Sequence, residues 1–104
     1  MKIAIATTDG ITVNEHFGKA KKFLIYDATS TTLVLLMEKN VEPYSTGRKD
    51  HNFDKARFLE VAASLQDCSK VFITKIGDEP AAALKAMGIE PVVYSGAIRD
   101  IDIS

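Results

Sequence analysis

The sequence predicts a single α/β domain spanning residues 1–104, in which a five-stranded mixed sheet has helices packed on it. Short apolar runs bounded by turn residues predict the strands, and two stretches with helical spacing separate the last three of them. The length of 104 residues and the hydrophobic content of 46% suit one globular domain with its own core. The strands are expected at residues 2–7, 23–27, 32–37, 71–74 and 91–94.

The first three predicted strands come before any helix. The run 2–7 is mostly apolar, as in a strand buried on both faces, and the turn pair Asp9-Gly10 follows it. The polar link at residues 28–30 is too short for a crossover, so the second and third strands are expected to form an antiparallel hairpin. Helices link the later strands, which are therefore expected to be parallel, and this makes the sheet mixed.

Two helices are predicted in the second half of the chain. Asn52 is expected to cap the first, which runs to about Asp67. Its apolar residues recur at helical spacing and predict one buried face, made of Phe58, Leu59, Ala62 and Leu65.

The second helix has start and stop signals of its own. The Asp78 carboxylate suits the N-cap position, and Pro80 suits the first turn. Gly88 is expected to end the helix in the left-handed conformation that glycine adopts readily. Ile89 is then expected to fold back onto Leu84.

Composition and charge restrict the classes of partner. Thirteen basic and fourteen acidic residues give a formal net charge of −1, which argues against nucleic acid because such a partner requires a basic surplus. Cys68 is the only cysteine, so neither an intramolecular disulfide nor a zinc site of several thiolates is expected.

No apolar run approaches the roughly 20 residues that span a bilayer, and no secretion signal is recognisable. We expect a cytoplasmic protein without a membrane partner. It would be a monomer or a weak dimer, since neither sheet edge shows protecting prolines or bulges.

The carboxyl ends of parallel strands are where open α/β sheets bind ligands. Three segments are expected at that edge, namely residues 8–18, 75–78 and 95–96. His16 lies in the first, among turn residues, and could ligate a metal or bind an anion. From the residues alone, a surface or capping histidine is the favoured interpretation. Lys75 precedes a helix amino terminus at Gly77, which is a natural place for an anion.

Other reactive residues have structural explanations available. His51, in the polar loop 40–52, could add a ligand to the same site or could belong to a solvated charged loop. Cys68 is interpreted as a small buried apolar residue. Asp9 is explained by its turn and Asp78 by its cap, so a hydrolase using these two carboxylates with His16 is disfavoured.

Several segments together resemble the dinitrogenase iron–molybdenum cofactor biosynthesis family. The resemblance to the family's first half lies in Ile3–Ala6, Val13–Ala20 and Phe23–Asp27, and that to its second half in Asp67-Cys68, Lys75–Pro80 and Gly88–Pro91. The likeness covers nearly the whole chain. It is closest to the small cofactor carriers and to the carrier-like domain at the end of the cofactor-assembly radical enzyme.

The resemblance implies a ribonuclease-H-like sheet with the second strand antiparallel, and a non-catalytic carrier. The implied transient cargo is an iron–sulfur or molybdenum–iron–sulfur cluster, with cofactor-assembly proteins as donors and acceptors. His16 would be the metal ligand, Gly10 and Gly18 would let the loop approach the cluster, and Lys75 with the amides near Gly77 would stabilise its negative charge. The alternative is a metal-free adaptor that docks a protein through the loop 40–52.

Overall fold

The computed structural model describes residues 1–29, 31–42 and 55–101, with Lys55 described by its backbone only. Each of its two α-helices has nine residues, and no helix in this part of the chain is long and apolar enough to cross a bilayer. The elements are β1 (Lys2–Ala6), β2 (Thr12–Val13), β3 (Lys22–Ala28), β4 (Leu33–Asn40), α1 (Lys55–Ala63), β5 (Lys70–Ile73), α2 (Asp78–Ala86), β6 (Glu90–Val93) and β7 (Gly96–Ala97).

The main sheet has five strands in the order β4-β3-β1-β5-β6. β1 pairs antiparallel with β3, where Ala4 lies opposite Ile25, and parallel with β5, where Ala4 lies opposite Val71. β4 completes an antiparallel hairpin with β3, and β6 is parallel to β5. The predicted five-stranded mixed sheet, its hairpin and its antiparallel second strand are therefore confirmed.

The two faces of the sheet carry separate hydrophobic clusters because side chains alternate along each strand. One face packs against α1 and α2, and its cluster includes Ala4, Phe23 and Val71 from the strands with Phe58 and Leu84 from the helices. The other face bears Ile3, Ile5 and Phe72, over which Val13 and Ile98 pack. β1 and β5 are thus buried on both sides, as their apolar runs predict.

A two-stranded sheet formed by β2 and β7 was not predicted. Thr12 lies opposite Ala97 and Val13 opposite Gly96 in an antiparallel pair. Strands of two residues are too short to show the alternation that identifies a strand in a sequence. This small sheet leads into a 3₁₀-helix, Ile98–Asp100, and brings the end of the described chain onto the face opposite the α-helices.

The first helix differs from its prediction in extent and in its buried face. It ends at Ala63, and the hydrogen bonds that follow, such as the one from the Leu65 N–H to the Ala62 carbonyl, tighten the chain into turns. Leu59 is exposed and Val61 is buried in its place. Positions 58, 61, 62 and 65 follow the i, i+3, i+4, i+7 spacing of one helical face, whereas position 59 lies beside it. Asn52, the predicted cap, lies outside the described residues.

The second helix begins at Asp78, but its N-cap is Gly77, and no side chain caps it. The prediction that Asp78 caps the helix is therefore wrong. Asp78 instead lies in the first turn, where its charge still favours the positive end of the helix dipole. Gly88 has φ +82°, and the Ile89 N–H donates to the Leu84 carbonyl at 2.9 Å, so the predicted helix end is confirmed.

Both edges of the sheet carry a feature that hinders strand addition, contrary to the expectation. The pairing of β4 with β3 shifts register between Ile25 and Tyr26, and β6 contains Pro91, which has no N–H to donate. Even so, β4 exposes four successive apolar side chains, each by 43–54%. They are Val34, Leu35, Leu36 and Met37. A monomer or weak dimer stays a prediction.

Candidate functional site

The carboxyl ends of β1, β5 and β6 meet at one edge of the sheet because these strands are parallel. The chain segment containing His16 is joined to this edge by two backbone hydrogen bonds. The Thr74 N–H donates to the Glu15 carbonyl at 3.0 Å, and the Phe17 N–H donates to the Lys75 carbonyl at 2.9 Å. The structure thus brings His16 beside the segment of Lys75, as the sequence predicts.

Side chains hold this segment at both of its ends. The Oδ1 atom of Asn14 accepts a hydrogen bond from the Thr8 N–H at 2.8 Å, and its Nδ2 donates to the Thr8 hydroxyl at 2.8 Å. On the other side of His16, the Phe17 ring is only 1% exposed. Its centroid lies 5.9 Å from that of Phe23 and 6.1 Å from that of Phe58. His16 is therefore placed between two fixed neighbours.

The His16 imidazole has no capping role. The residue precedes a 3₁₀-helix, Phe17–Lys19, in extended conformation, and its side chain makes no capping hydrogen bond. Its backbone N–H donates to the Glu15 Oε1 atom at 2.8 Å. The side chain is half-buried, so the residue is not fully solvated either. Among the described residues the His16 ring has no hydrogen-bond partner, so its nitrogens are available to a ligand.

Positive charge at this edge comes from Lys75, which is exposed, and from the amino terminus of α2. The helix start is less favourable to an anion than the sequence indicates, because Asp78 and Glu79 both lie in its first turn. Gly77 has an ordinary φ of −72°, and a Cβ atom there would make only van der Waals contact with Pro80 at 3.5 Å. The geometry therefore does not require glycine at position 77.

Gly10 and Gly18 differ in backbone conformation, because only Gly10 has a positive φ. Gly10 has φ +75°, and a Cβ built on it would meet no atom of the described residues within 4 Å, its two chain neighbours aside. Glycine is favoured at position 10 because of this positive φ, and not because a side chain would clash with a neighbour. Gly18 lies within the 3₁₀-helix and is not among the positive-φ glycines of the described chain. A close approach of a ligand to either residue stays a prediction.

Asp9 organises the turn after β1. Its Oδ1 atom accepts hydrogen bonds from the backbone N–H groups of Thr12, at 2.9 Å, and Ile11, at 2.8 Å, and the hydroxyls of Thr12 and Thr7 also donate to the carboxylate. These donors, the Thr12 and Ile11 amides above all, lower the pKa of Asp9 from 3.8 to about 2. The carboxylate is committed to the turn, as predicted, which disfavours a role as a general base.

A first prediction concerns Asp9 and pH. Because its folded-state pKa is lowered, its charge stabilises the fold above the unfolded pKa of 3.8, and this contribution is lost as pH falls through about 2. We expect the melting temperature of Asp9→Asn to lie below that of the parent at pH 6, with a difference that shrinks as pH falls from 4 to 2. Thermal melts of both proteins across this range measure it. A difference independent of pH would contradict the assignment.

Other candidate ligands add nothing to the site in the described structure. Cys68 is buried, and burial raises the pKa of its thiol, as fits the predicted small apolar residue. His51 and residues 43–52 of the loop lie outside the described residues. Among those that are described, no three His, Cys, Asp or Glu side chains lie close enough to hold a metal ion.

Sequence reasoning missed two features of the site. The two hydrogen bonds between Asn14 and Thr8 were not predicted. The residue type was a signal for them, because asparagine side chains often form hydrogen bonds with the backbone in turns. The other feature is the Thr74 hydroxyl, which is buried and has no hydrogen-bond partner within the described chain. It lies at the end of β5, beside the backbone of Glu15. No pattern in the sequence indicates an unsatisfied hydroxyl.

Comparison with known proteins identifies a family that matches most of this chain. Residues 1–101 match the family described as dinitrogenase iron-molybdenum cofactor. The FeMo cofactor biosynthesis protein NifB of Chlorobaculum tepidum is 33% identical over 100 residues, which cover 94% of this chain and 22% of that protein. The NifB of Klebsiella pneumoniae is 36% identical over 101 residues, covering 95% and 21%. The chain thus spans about a fifth of the length of these relatives.

Solved structures support the fold. The crystal structure of PH0822 superposes with a TM-score of 0.71 at 20% sequence identity, covering 97% of this chain and 84% of that one. The NMR structure of the Thermotoga protein TM1290, described as belonging to the DUF35 family, gives a TM-score of 0.54 at 22% identity, covering 94% and 79%. With a family match over nearly its whole length, the chain belongs to the dinitrogenase iron-molybdenum cofactor family.

Proposed function

We propose that this chain is a non-catalytic carrier that binds an iron–sulfur or molybdenum–iron–sulfur cluster during cofactor assembly, with His16 as its metal anchor. The observation that carries the proposal is the placement of His16, whose backbone is fixed on both sides while its ring caps nothing. The relatives are named as FeMo cofactor biosynthesis proteins, which indicates the class of cargo.

The small number of protein ligands suits a carrier. A resident metal ion needs several protein donors, and the described residues offer no such group. A metal–sulfur cluster brings sulfide ligands of its own, so one imidazole suffices to attach it. Weak attachment through a single ligand also allows release to an acceptor, which tight coordination by several thiolates would prevent.

Charge supports the same function. A metal–sulfur cluster is anionic, and the Lys75 side chain lies exposed on the segment that is hydrogen-bonded to the His16 loop. Lys19, in the last turn of the 3₁₀-helix after His16, is a second exposed cation. The acidic residues Asp78 and Glu79 lie at the positive end of α2. We therefore assign the stabilisation of the cluster's negative charge to these lysines more than to the amides near Gly77.

The fold is a scaffold for this site. The strand order and directions support the ribonuclease-H-like class, and the proposed role requires only a rigid edge on which to present a histidine. The carrier would work in the cytoplasm with cofactor-assembly proteins as donors and acceptors. Its single site would need no catalytic residue.

The test is anaerobic reconstitution with iron, sulfide and molybdate, followed by desalting and measurement of bound metal and visible absorption. We expect the parent to retain a coloured cluster and His16→Ala to retain it at least about tenfold more weakly, since removing even a residue that only orients a metal ligand costs that much. Lys75→Ala should weaken retention less, because it removes charge and no ligand.

Lys85→Ala is the matched control, since it removes an exposed lysine from the last turn of α2. It should retain the cluster as the parent does. Circular dichroism should show the same fold for all variants. Equal retention by His16→Ala and the parent would exclude His16 as the anchor, and failure of the folded parent to acquire any metal would favour the adaptor alternative.

A further inference from the structure

The face of the sheet opposite α1 and α2 contains an open cavity of about 450 Å³ that is lined by neither His16 nor Lys75. Tyr26 and Leu33 line it and pack against the hydrophobic cluster on that face. Ile98 lines it from the 3₁₀-helix, and the loop after β1 contributes Ile11. Three separate parts of the chain therefore build it.

The exposed lining of the cavity is mainly apolar. Ile11 is 69% exposed although it is large and aliphatic, and Tyr26 and Leu33 are only partly covered. A folded chain gains free energy by covering such surface, and contiguous exposed apolar surface commonly marks a binding site. The volume lies in the range typical of pockets for small organic ligands, roughly 300–1,000 Å³.

One cation lies in this apolar lining. Arg99 is exposed, and within the described chain its guanidinium forms no ion pair, not even with the adjacent Asp100. The Asp9 carboxylate, in the neighbouring turn, is already occupied by its own backbone and hydroxyl donors. A guanidinium without a carboxylate partner favours an incoming carboxylate or sulfonate.

We propose that this cavity binds an amphiphilic organic anion, whose apolar body lies on Ile11, Tyr26 and Leu33 and whose acidic group pairs with Arg99. His16 does not line the cavity, and Gly10 is the only residue that the cavity shares with those expected to approach the cluster. Few polar groups in an apolar pocket fix the orientation of a ligand, and Arg99 and the Tyr26 hydroxyl are the polar side-chain groups available here.

The test uses two fluorescent probes that differ only in the acidic group, 8-anilinonaphthalene-1-sulfonate and its uncharged parent N-phenyl-1-naphthylamine. We expect saturable binding of one sulfonate probe per chain, with a dissociation constant on the order of 10–100 µM for a ligand of this size. Arg99→Gln should weaken binding of the sulfonate about fivefold and leave the uncharged probe unchanged, as loss of one exposed charge-assisted contact predicts.

Ile11→Glu should weaken both probes at least about tenfold, because it introduces a charge into the apolar part of the cavity. Val93→Glu is the matched control, since Val93 is 66% exposed on β6 and does not line the cavity. It should bind both probes as the parent does. The proposal is overturned if the parent shows no saturable binding, if Ile11→Glu binds as the parent does, or if Arg99→Gln fails to discriminate between the probes.

Discussion

Phe17→Ala is expected to lower the free energy of unfolding by about 3–5 kcal/mol, the usual cost of deleting a fully buried aromatic ring. The ring packs against those of Phe23 and Phe58 and is 1% exposed, so little of the resulting cavity can be filled by movement of neighbours. Urea unfolding followed by circular dichroism measures the change. Phe17 is also the residue directly after His16, so the variant should lose metal retention as well.

Phe17→Leu separates the two consequences. Leucine keeps an apolar side chain at the site, so the protein should lose less stability than Phe17→Ala and should keep most of its metal retention. A stability loss of less than about 1 kcal/mol for Phe17→Ala would contradict the packing described above, since that is the average effect of any substitution. Loss of metal by the stable leucine variant would mean that the ring itself, rather than the position it gives His16, matters for binding.

The main sheet could be predicted from the sequence because its strands follow local rules. Apolar runs such as Lys2–Ala6 identify strands that are buried on both faces, and short or helical links determine which strands pair antiparallel or parallel. Gly88 also has a local requirement, since a left-handed helix end favours glycine. Each of these choices depends on residues close in sequence, so no distant contact has to be known.

The features that were missed depend on contacts between distant residues. The pairing of β2 with β7 joins residues more than eighty positions apart, and nothing local marks either strand. The burial of Val61 instead of Leu59 is an exception, because position 61 follows the helical spacing from Phe58 and was open to prediction from the sequence. The N-cap is Gly77 and not Asp78, which moves the predicted helix boundary by one residue. Helix propensity alone does not determine a boundary to a single residue.

The candidate site shows the same division. The position of His16 near the segment of Lys75 followed from one topological rule, that carboxyl ends of parallel strands share an edge. The hydrogen bonds of Asn14 with Thr8 required the folded loop and could not be read from spacing. The same holds for the cavity at Ile11 and Arg99, because its walls come from both ends of the chain.

Gly96→Ala is expected to destabilise the protein by about 1–3 kcal/mol, the cost of holding a residue with a side chain in a sparsely populated backbone conformation. Gly96 has φ +147°, and a Cβ atom there would lie 3.2 Å from the Tyr94 hydroxyl oxygen. That hydroxyl donates to the Ala97 carbonyl at 2.8 Å and must shift to make room. The expected decrease in melting temperature is on the order of 10 °C.

Tyr94→Phe distinguishes crowding from backbone strain. Alone it removes the hydrogen bond to the Ala97 carbonyl and should cost about 1 kcal/mol. If the added methyl group clashes with the hydroxyl, the double variant Gly96→Ala/Tyr94→Phe should lose less than the sum of the two single losses. Additive losses would assign the whole effect to the positive φ. A melting temperature for Gly96→Ala equal to that of the parent would contradict the positive φ at Gly96. It would also contradict the pairing of β2 with β7, which places Ile98 and Arg99 beside Ile11.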